Sequence, residues 1–306
     1  MSSLLTNTSS MVALQTLRSI NDSLDQTNSR VSTGLKVNSA SDSAAYWSIA
    51  TTTRSDNGAL GAVSDALGLG AATVDVVSTG MNEIRNVLQE VKQLLVTALE
   101  PGVDKTKIQT EITARLEDIS NKSKTSVINE ESWLTVDSSD ADYNGTKSVV
   151  GSFTRVGGAV SVDTIDIDLA TVSLYDANGN IGIMDKDRTA GGTTIAVADI
   201  DISALTNAAA DLTTIEEYIS VVDEALTDMT TASTELGTVS TRIESQRSFV
   251  KALMDANDRA IGTLVDADME EESTRLKALQ TQQQLAVQSL SIANSSSQNI
   301  LSLFRN

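Results

Sequence analysis

The sequence contains no cysteine and no histidine, a single proline (Pro101) and few aromatic residues, two Trp, four Tyr and three Phe among 306. Without cysteine the chain forms no disulfide and no thiolate metal site, and without histidine it lacks the commonest general base and metal ligand. We therefore expect no enzyme, no metal and no cofactor, although chemistry through Asp, Glu, Lys or Ser is not excluded. Long helices packed through aliphatic seams fit this composition better than an aromatic catalytic core.

Charge is distributed unevenly along the chain. The net charge is −19, yet residues 1–100 hold 6 basic and 9 acidic side chains, residues 276–306 hold two basic and no acidic ones, and the middle carries −18. Nearly neutral ends favour burial, whereas the acidic middle favours solvent. No cluster of Lys or Arg is present, so nucleic-acid binding is not expected.

Long apolar runs are also absent. No run approaches the roughly 18 residues that a membrane span needs, so we expect no membrane insertion. The segment 1–17 has neither a basic start nor a continuous apolar stretch, and no cleaved signal peptide is expected.

Apolar residues recur every seven positions in the C-terminal third, which predicts a coiled-coil seam. The first series is Ile215, Val222, Met229, Leu236, Ile243, Val250, Asn257 and Leu264, with one polar member. After an acidic run a new phase follows, with Met269, Leu276, Leu279, Ala286, Leu290, Ala293, Ile300 and Phe304.

Two terminal segments share an unusual lack of charge. Residues 3–33 read as a helix with four charged side chains, and beyond residue 276 only Lys277 and Arg305 are charged. Helices that face water usually carry charges on their outer side, so we expect these two helices to be enclosed by copies of the chain or by a partner. A loose tail without an assembly role is the alternative. The expected interface residues are Leu4, Met11, Leu14, Leu17, Leu24, Val31, Leu276, Leu279, Ala286, Leu290, Ile300, Leu303 and Phe304.

A second heptad series lies between Leu60 and Ala98, with apolar residues at a and d, and Pro101 stops it. A shorter helix follows with Ile108, Ile112, Leu116 and Ile119. Together with the segment from Thr213, these predict a bundle of long helices in which the last returns antiparallel to the first.

The region between the long helices has a different period. Val160 and Val162, then Ile165 and Ile167, alternate with polar residues, and the one-residue slip between the pairs suggests a bulge. The segment 176–180 contains Asn-Gly and predicts a hairpin. The expected fold is mainly α, a long antiparallel coiled-coil bundle built from both chain ends, with a small β-rich insert.

Several motifs at the two ends resemble bacterial flagellin, the subunit of the flagellar filament. The N-terminal signature runs from the segment 30–34 through 38–40 to 42–45, and the C-terminal one includes Ala293-Asn294 and the segment 298–303. The signature positions are Arg30, Gly34, Asn38, Ala40, Asp42, Ala293, Asn294 and Gln298. The resemblance covers roughly residues 1–135 and 215–306, and the motifs occur in the family's order.

The resemblance implies an extracellular helical homopolymer that acts as the propeller for swimming, with other flagellins as candidate partners in the same filament. Residues 1–40 with 267–306 would form an inner tube, residues 41–135 with 206–266 an outer tube, and residues 136–205 a surface insert. It also implies export without a cleaved signal peptide through the flagellar export apparatus, with an export chaperone, a filament cap and hook-associated proteins as partners.

One stretch departs from the family. Many flagellins carry a Gln-Arg motif that an animal innate immune receptor reads, and this chain has Gln89, Glu90, Lys92 and Leu94 in that region. Glu90 reverses the charge at the arginine position, which predicts weak recognition.

Two other functions remain open at this point. A junction protein between hook and filament shares both terminal helices and would be scarce, whereas a filament subunit would be abundant. A filament-borne surface adhesin or enzyme would place its site in the insert, but the insert shows no constellation of catalytic residues.

Overall fold

The computed structural model describes residues 7–128, 131–178 and 181–303, and the side chains of the last helix are described as far as Ser295. The helices are α1 (Thr8–Thr33), α2 (Ala44–Thr97), α3 (Lys105–Thr125), α4 (Leu169–Val172), α5 (Ala209–Val265) and α6 (Met269–Leu303), with a 3₁₀ turn at Val197–Asp199. The strands are β1 (Val127–Ile128), β2 (Glu131–Ser132), β3 (Thr135–Val136), β4 (Thr146–Val156), β5 (Ala159–Asp168), β6 (Tyr175–Asp176), β7 (Arg188–Ala190) and β8 (Thr193–Ile195). The predicted fold, mainly α with long helices from both ends and a small β-containing middle, is confirmed.

The chain divides into two compact units. The first contains residues 1–58 with 254–306, and the second contains residues 59–253. The finer division into two tubes and an insert stays a prediction.

In the second unit, α2 supplies the most regular part of the core. The six a positions of its heptad series, from Leu60 to Leu95, are all buried, as are the six d positions, from Val63 to Ala98, the last of which lies one residue beyond the end of α2. One 18-residue window of α2 has a mean hydropathy of 1.4, enough by length and composition for a membrane span. About 33% of that window is buried in the structure, and the core helix of a water-soluble protein can have the same length and composition.

The seam of α5 is confirmed from Ile215 to Val250, where every a position is buried. Beyond Val250 the prediction is wrong, since Asn257 and Leu264 are only half-buried and Ile261 and Val265 are buried instead. A straight helix has 3.6 residues per turn, so a seven-residue stripe drifts around it unless the helices supercoil.

The strands form four separate two-stranded sheets in the described part of the chain, of which the antiparallel hairpin β4–β5 is the longest. The predicted hairpin around 176–180 is wrong: Val172 ends α4, β6 pairs in parallel with β3, and Ile183 lies in no strand. The difference arises from a contact with a distant part of the chain. Buried Asp176 accepts hydrogen bonds from the backbone N–H (2.9 Å) and the hydroxyl (2.7 Å) of Ser138, which directs this segment toward β3. Gly179 and Asn180 lie outside the described residues.

A glycine at a d position allows β4 to approach α2. A Cβ added at Gly70 would lie 2.4 Å from Cγ1 of Val149, a distance that real side chains do not adopt. A Cβ at Gly68, two residues earlier, would meet open space.

We expect Gly70→Ala to lower the free energy of unfolding of the monomer by about 1–3 kcal/mol, because β4 must shift to admit the methyl group. Gly68→Ala should instead raise it by up to about 1 kcal/mol, since alanine is the better helix former. Urea unfolding followed by circular dichroism compares the two variants. Equal effects would show that β4 does not pack closely on α2.

Candidate assembly surface

The ends of α1 are defined by its own sequence. The side chain of Asn7 accepts a hydrogen bond from the backbone N–H of Ser10 (3.1 Å), an N-cap that satisfies one of the free donors of the first turn. At the other end Gly34 adopts a left-handed conformation with φ of 73° and donates its N–H to the carbonyl oxygen of Arg30. Glycine is suited to this C-terminal position because it has no Cβ.

Helices α1 and α6 pack antiparallel along most of their length. Ser10 donates its hydroxyl to Oδ1 of Asn294 (2.8 Å) near one end, and Asn21 accepts a hydrogen bond from Nε2 of Gln283 (2.7 Å) near the middle. At the other end Nη1 of Arg30 lies 3.0 Å from Oε1 of Glu272. Arg30 of the N-terminal signature and Asn294 of the C-terminal signature therefore each contact the opposite helix, at opposite ends of the pair.

The pair buries only one narrow stripe. Seven residues predicted as interface are half-buried, namely Leu17, Leu24, Val31, Leu276, Leu279, Ala286 and Leu290. Within the described side chains of α1 and α6, only Thr27 and Glu272 are fully buried. Leu4 and Phe304 lie outside the described residues, and Ile300 and Leu303 belong to α6 but their side chains are not among those described.

Apolar side chains also cover the side of the pair that points away from this stripe. We call Met11, Val12, Leu14, Leu285, Val287 and Ile292 the outer face, and each is between 38% and 68% exposed. Sequence reasoning identified Met11 and Leu14 but missed the other four. The sequence contains a pattern that predicts two of them. Leu285 and Ile292 are seven residues apart and form a second apolar repeat beside the series from Met269 to Phe304.

The ion pair between Arg30 and Glu272 lies where α1 ends and α6 begins, and it is largely shielded from water. The side chain of Glu272 is 7% exposed, that of Arg30 is 27% exposed, and Arg275 approaches the same carboxylate at 3.7 Å while remaining 51% exposed. The second oxygen of Glu272 is buried and has no hydrogen-bond partner among the described residues. The carboxylate therefore depends on Arg30 for most of its compensation.

Backbone hydrogen bonds join the segment that follows α1 to the segment between α5 and α6. Lys36 donates its N–H to the carbonyl oxygen of Val265 (2.7 Å), and Ala267 donates to that of Gly34 (2.9 Å). Under this bridge Val37, Ala50, Ile261 and Val265 form a small buried cluster.

The signature residues that follow Gly34 build a tight turn. The N–H and hydroxyl of Ser39 and the N–H of Asn38 all donate to the carboxylate of Asp42, which lowers the pKa of Asp42 below its usual value. Ala40 is exposed on this turn. At the other signature Ala293 accepts a hydrogen bond from Asn7 through its carbonyl oxygen (3.1 Å), and the side chain of Gln298 lies outside the described ones.

The segment that departs from the immune-receptor motif lies on the surface of α2. Gln89 and Glu90 are exposed, and Leu94 is half-buried. Glu90 pairs with Arg115 of α3 at 3.1 Å, and half-buried Lys92 pairs with Asp223 of α5 at 2.5 Å. The reversed charge is thus part of an ion pair between helices.

The described part of the chain contains no group of three acidic side chains placed to hold a metal ion. A groove of about 680 Å³ beside α5 is lined by Arg188 and acidic residues, but Arg188 donates to Asp228 (2.6 Å) and to the carbonyl oxygen of Ile183 (2.6 Å). These contacts are those of a structural ion pair.

Known proteins share both ends of this chain. Residues 4–138 match the bacterial flagellin N-terminal helical region, and residues 219–304 match the bacterial flagellin C-terminal helical region. The central segment between the matches includes most of the β structure.

Full-length relatives agree with these matches. Flagellin C of Rhizobium meliloti (strain 1021) is 47% identical over 322 aligned positions, flagellin A of the same strain is 43% identical over 396, and a flagellin of Brucella melitensis is 45% identical over 309. Each alignment covers 100% of both chains, and none supports the junction or adhesin alternatives. The paired terminal helices, the antiparallel bundle and these likenesses together show that the chain belongs to the bacterial flagellin family and is a structural subunit of the extracellular flagellar filament.

Proposed function

We propose that the subunit polymerises chiefly by covering the outer face of its α1–α6 pair with neighbouring copies of the same chain. The observation that supports this is the coincidence of six exposed apolar side chains with the lack of any charged residue in 7–17 and 278–304, the segments that carry them. Exposed apolar patches of this kind mark interaction surfaces in water-soluble proteins. The further predicted interface residues at the chain ends, Leu4, Ile300, Leu303 and Phe304, extend the same surface in this proposal.

The energetics favour coupling between folding and assembly. The stripe that α1 and α6 share buries few side chains completely, whereas ordering a helix costs roughly 1–2 kcal/mol per backbone residue. Covering each outer-face side chain returns on the order of 1 kcal/mol, because 38% to 68% of its surface leaves water. The pair is therefore weak in the monomer and stable in the polymer.

The three-part organisation completes this proposal. Residues 1–40 with 267–306 line the inner tube, residues 41–135 with 206–266 form the outer tube, and residues 136–205 face solvent. The charge pattern supports the arrangement, since the neutral ends suit an enclosed position and the acidic middle suits water.

Export and capping belong to the same proposal. The chain leaves the cell unfolded through the flagellar export apparatus without a cleaved signal peptide, held by an export chaperone, and is added beneath a filament cap beyond the hook-associated proteins. The lack of cysteine supports this route, because no disulfide has to form or break during passage. The role is structural, with no catalytic step, and other flagellins with the same terminal helices are compatible neighbours.

Charge placed on the outer face should prevent polymerisation. For Leu285→Glu combined with Ile292→Glu, we expect the critical concentration for seeded filament growth to rise at least about 30-fold, since two exposed apolar side chains each lose on the order of 1 kcal/mol or more of burial. Sedimentation of purified full-length chain after seeding measures the critical concentration.

The matched control is Gln284→Glu combined with Ser291→Glu, which adds the same charge with the same spacing one residue earlier on α6, at exposed polar positions. We expect a smaller rise, below about tenfold. Equal impairment by the two double variants would show that charge on α6, and not loss of the apolar contact, blocks assembly.

We expect the Arg30–Glu272 ion pair to stabilise the contact between α1 and α6 at the end where it lies. Arg30→Gln leaves Glu272 poorly compensated and should lower the free energy that holds α1 and α6 together by about 1–3 kcal/mol. Arg275→Gln removes the exposed partner of the same carboxylate and should cost no more than about 0.5 kcal/mol. The dissociation temperature of filaments compares them, and a larger effect at Arg275 would contradict the role assigned to Arg30.

The departure at Glu90 should weaken recognition by the animal innate immune receptor. Purified monomer should activate receptor-expressing cells weakly, and Glu90→Arg should increase activation because it restores the family's charge, whereas Glu90→Gln should increase it less. Strong activation by the unaltered monomer would refute the prediction.

A further inference from the structure

Methionine side chains occupy both the core and the surface of this protein. Of the six methionines that the structure describes, three are 0% exposed and lie in the second unit, namely Met81, Met184 and Met229. Met11 of α1 is 65% exposed, and Met269, the first residue of α6, is 43% exposed. Packing therefore shields three thioethers from reagents in solution and leaves the side chains of Met11 and Met269 open to them.

Met11 belongs to the outer face, at a level where neither helix carries charge. The preceding residue, Ser10, donates its hydroxyl to Oδ1 of Asn294, so Met11 and Ile292 lie near the same level of the antiparallel pair. No charged residue occurs in 7–17 or 278–304. A methionine at this point therefore presents an apolar and adaptable side chain on an uncharged part of the two helices.

Hydrogen peroxide converts an exposed thioether to a sulfoxide. A lone pair of the sulfur attacks one peroxide oxygen, so that an S–O bond forms as the O–O bond breaks. The hydrogen of the transferred oxygen passes to the departing hydroxide, which leaves as water. The sulfur loses two electrons and the peroxide gains them, so methionine and hydrogen peroxide give methionine sulfoxide and water. Because the peroxide must reach the sulfur, Met11 should react before the buried methionines.

The sulfoxide does not suit an apolar interface. Its oxygen is a hydrogen-bond acceptor, and burying a polar group without a partner is unfavourable. The polar side chains of α1 that contact α6 at this level are already engaged, since Asn7 donates its amide to the carbonyl oxygen of Ala293 (3.1 Å) and Ser10 donates to Asn294 (2.8 Å). Oxidation of Met11 thus places a polar group where the proposed polymer buries an apolar one.

We propose that Met11 is an oxidation-sensitive position of the assembly surface, at which conversion to the sulfoxide by hydrogen peroxide prevents a subunit from joining the filament. This inference rests on the polymerisation proposed above and assigns a chemical modification to one residue of the outer face. The free subunit is the sensitive species, because neighbouring copies on the outer face exclude peroxide from the sulfur. The modification is reversible, since methionine sulfoxide reductases restore the thioether.

The test begins with limited hydrogen peroxide treatment of the purified full-length monomer. Peptide mass spectrometry measures the oxidised fraction at each methionine, and sedimentation after seeding measures the critical concentration. We expect Met11 to be oxidised at least about tenfold faster than Met81 and Met229, and the critical concentration of the oxidised chain to rise at least about tenfold over that of the untreated chain.

Two single variants assign the effect to one sulfur. Met11→Leu keeps an apolar side chain of similar volume and removes the thioether, and the matched control Met269→Leu removes the other exposed thioether. Each treated variant is compared with its own untreated sample. The critical concentration should rise less than about twofold for Met11→Leu and at least about tenfold for Met269→Leu. An equal rise for the two variants would overturn the proposal, because another residue would then be responsible.

Three further results would also overturn it. The first is complete oxidation of Met11 with an unchanged critical concentration. The second is oxidation of Met11 no faster than that of Met81. The third is removal of the sulfoxide at Met11 by the reductases, verified by mass spectrometry, without recovery of growth, since the damage would then lie elsewhere.

Oxidation of the assembled filament tests the shielding directly. With neighbouring copies on the outer face, Met11 should be oxidised at least about tenfold more slowly in the filament than in the monomer. Equal rates in the two states would overturn the proposal, because the sulfur would then remain open to peroxide after assembly.

The two proposals fail in different ways. Normal growth of the Leu285→Glu and Ile292→Glu chain contradicts the role of the outer face, whatever the oxidation results show. If that chain fails to grow while the chain oxidised at Met11 grows normally, only the inference about Met11 is contradicted.

Discussion

A pair of helices can bury only the stripe along which the two helices touch. In this flagellin α1 and α6 are paired at both ends by hydrogen bonds and by the Arg30–Glu272 ion pair, yet most of their apolar side chains keep a large part of their surface in water. Their sequence offers few charges to make that surface favourable in isolation. Under the proposal, the pair becomes stable when further helices surround it, and copies of the same chain are the source of those helices.

In the second unit the apolar stripes of the helices are already buried within a single chain. The heptad residues of α2 and α5 are buried almost completely, and α3 adds a third helical surface with Ile112 and Ile119 at 0% exposure. Ion pairs join neighbouring helices on the outside, as between Glu90 and Arg115. We therefore expect this unit to remain folded before assembly, and the terminal helices to gain their stability from assembly. The division matches the charge pattern, because the self-sufficient unit carries the acidic surface and the dependent one is nearly neutral.

Much of this could be predicted from sequence because helical periodicity is a local property. The burial of Leu67 through Leu95 follows directly from a seven-residue repeat, and the end of α1 follows from Gly34. The outer residues Leu285 and Ile292 were not predicted, because a single apolar repeat was assigned to α6 and these two residues belong to a second repeat. The predicted hairpin at 176–180 was wrong because a distant serine, Ser138, determines the direction of Asp176. Local patterns cannot report partners that are far away in the chain or in another molecule.

The most direct test of the central claim is hydrogen exchange of backbone amides, compared between purified monomer and assembled filament. If the terminal helices depend on neighbouring subunits, amides of 8–33 and 269–303 should exchange rapidly in the monomer and become strongly protected in the filament, while core amides of α2 and α5 stay protected in both. Equal and strong protection of α1 and α6 in the monomer would show that the pair is stable by itself and would contradict the account.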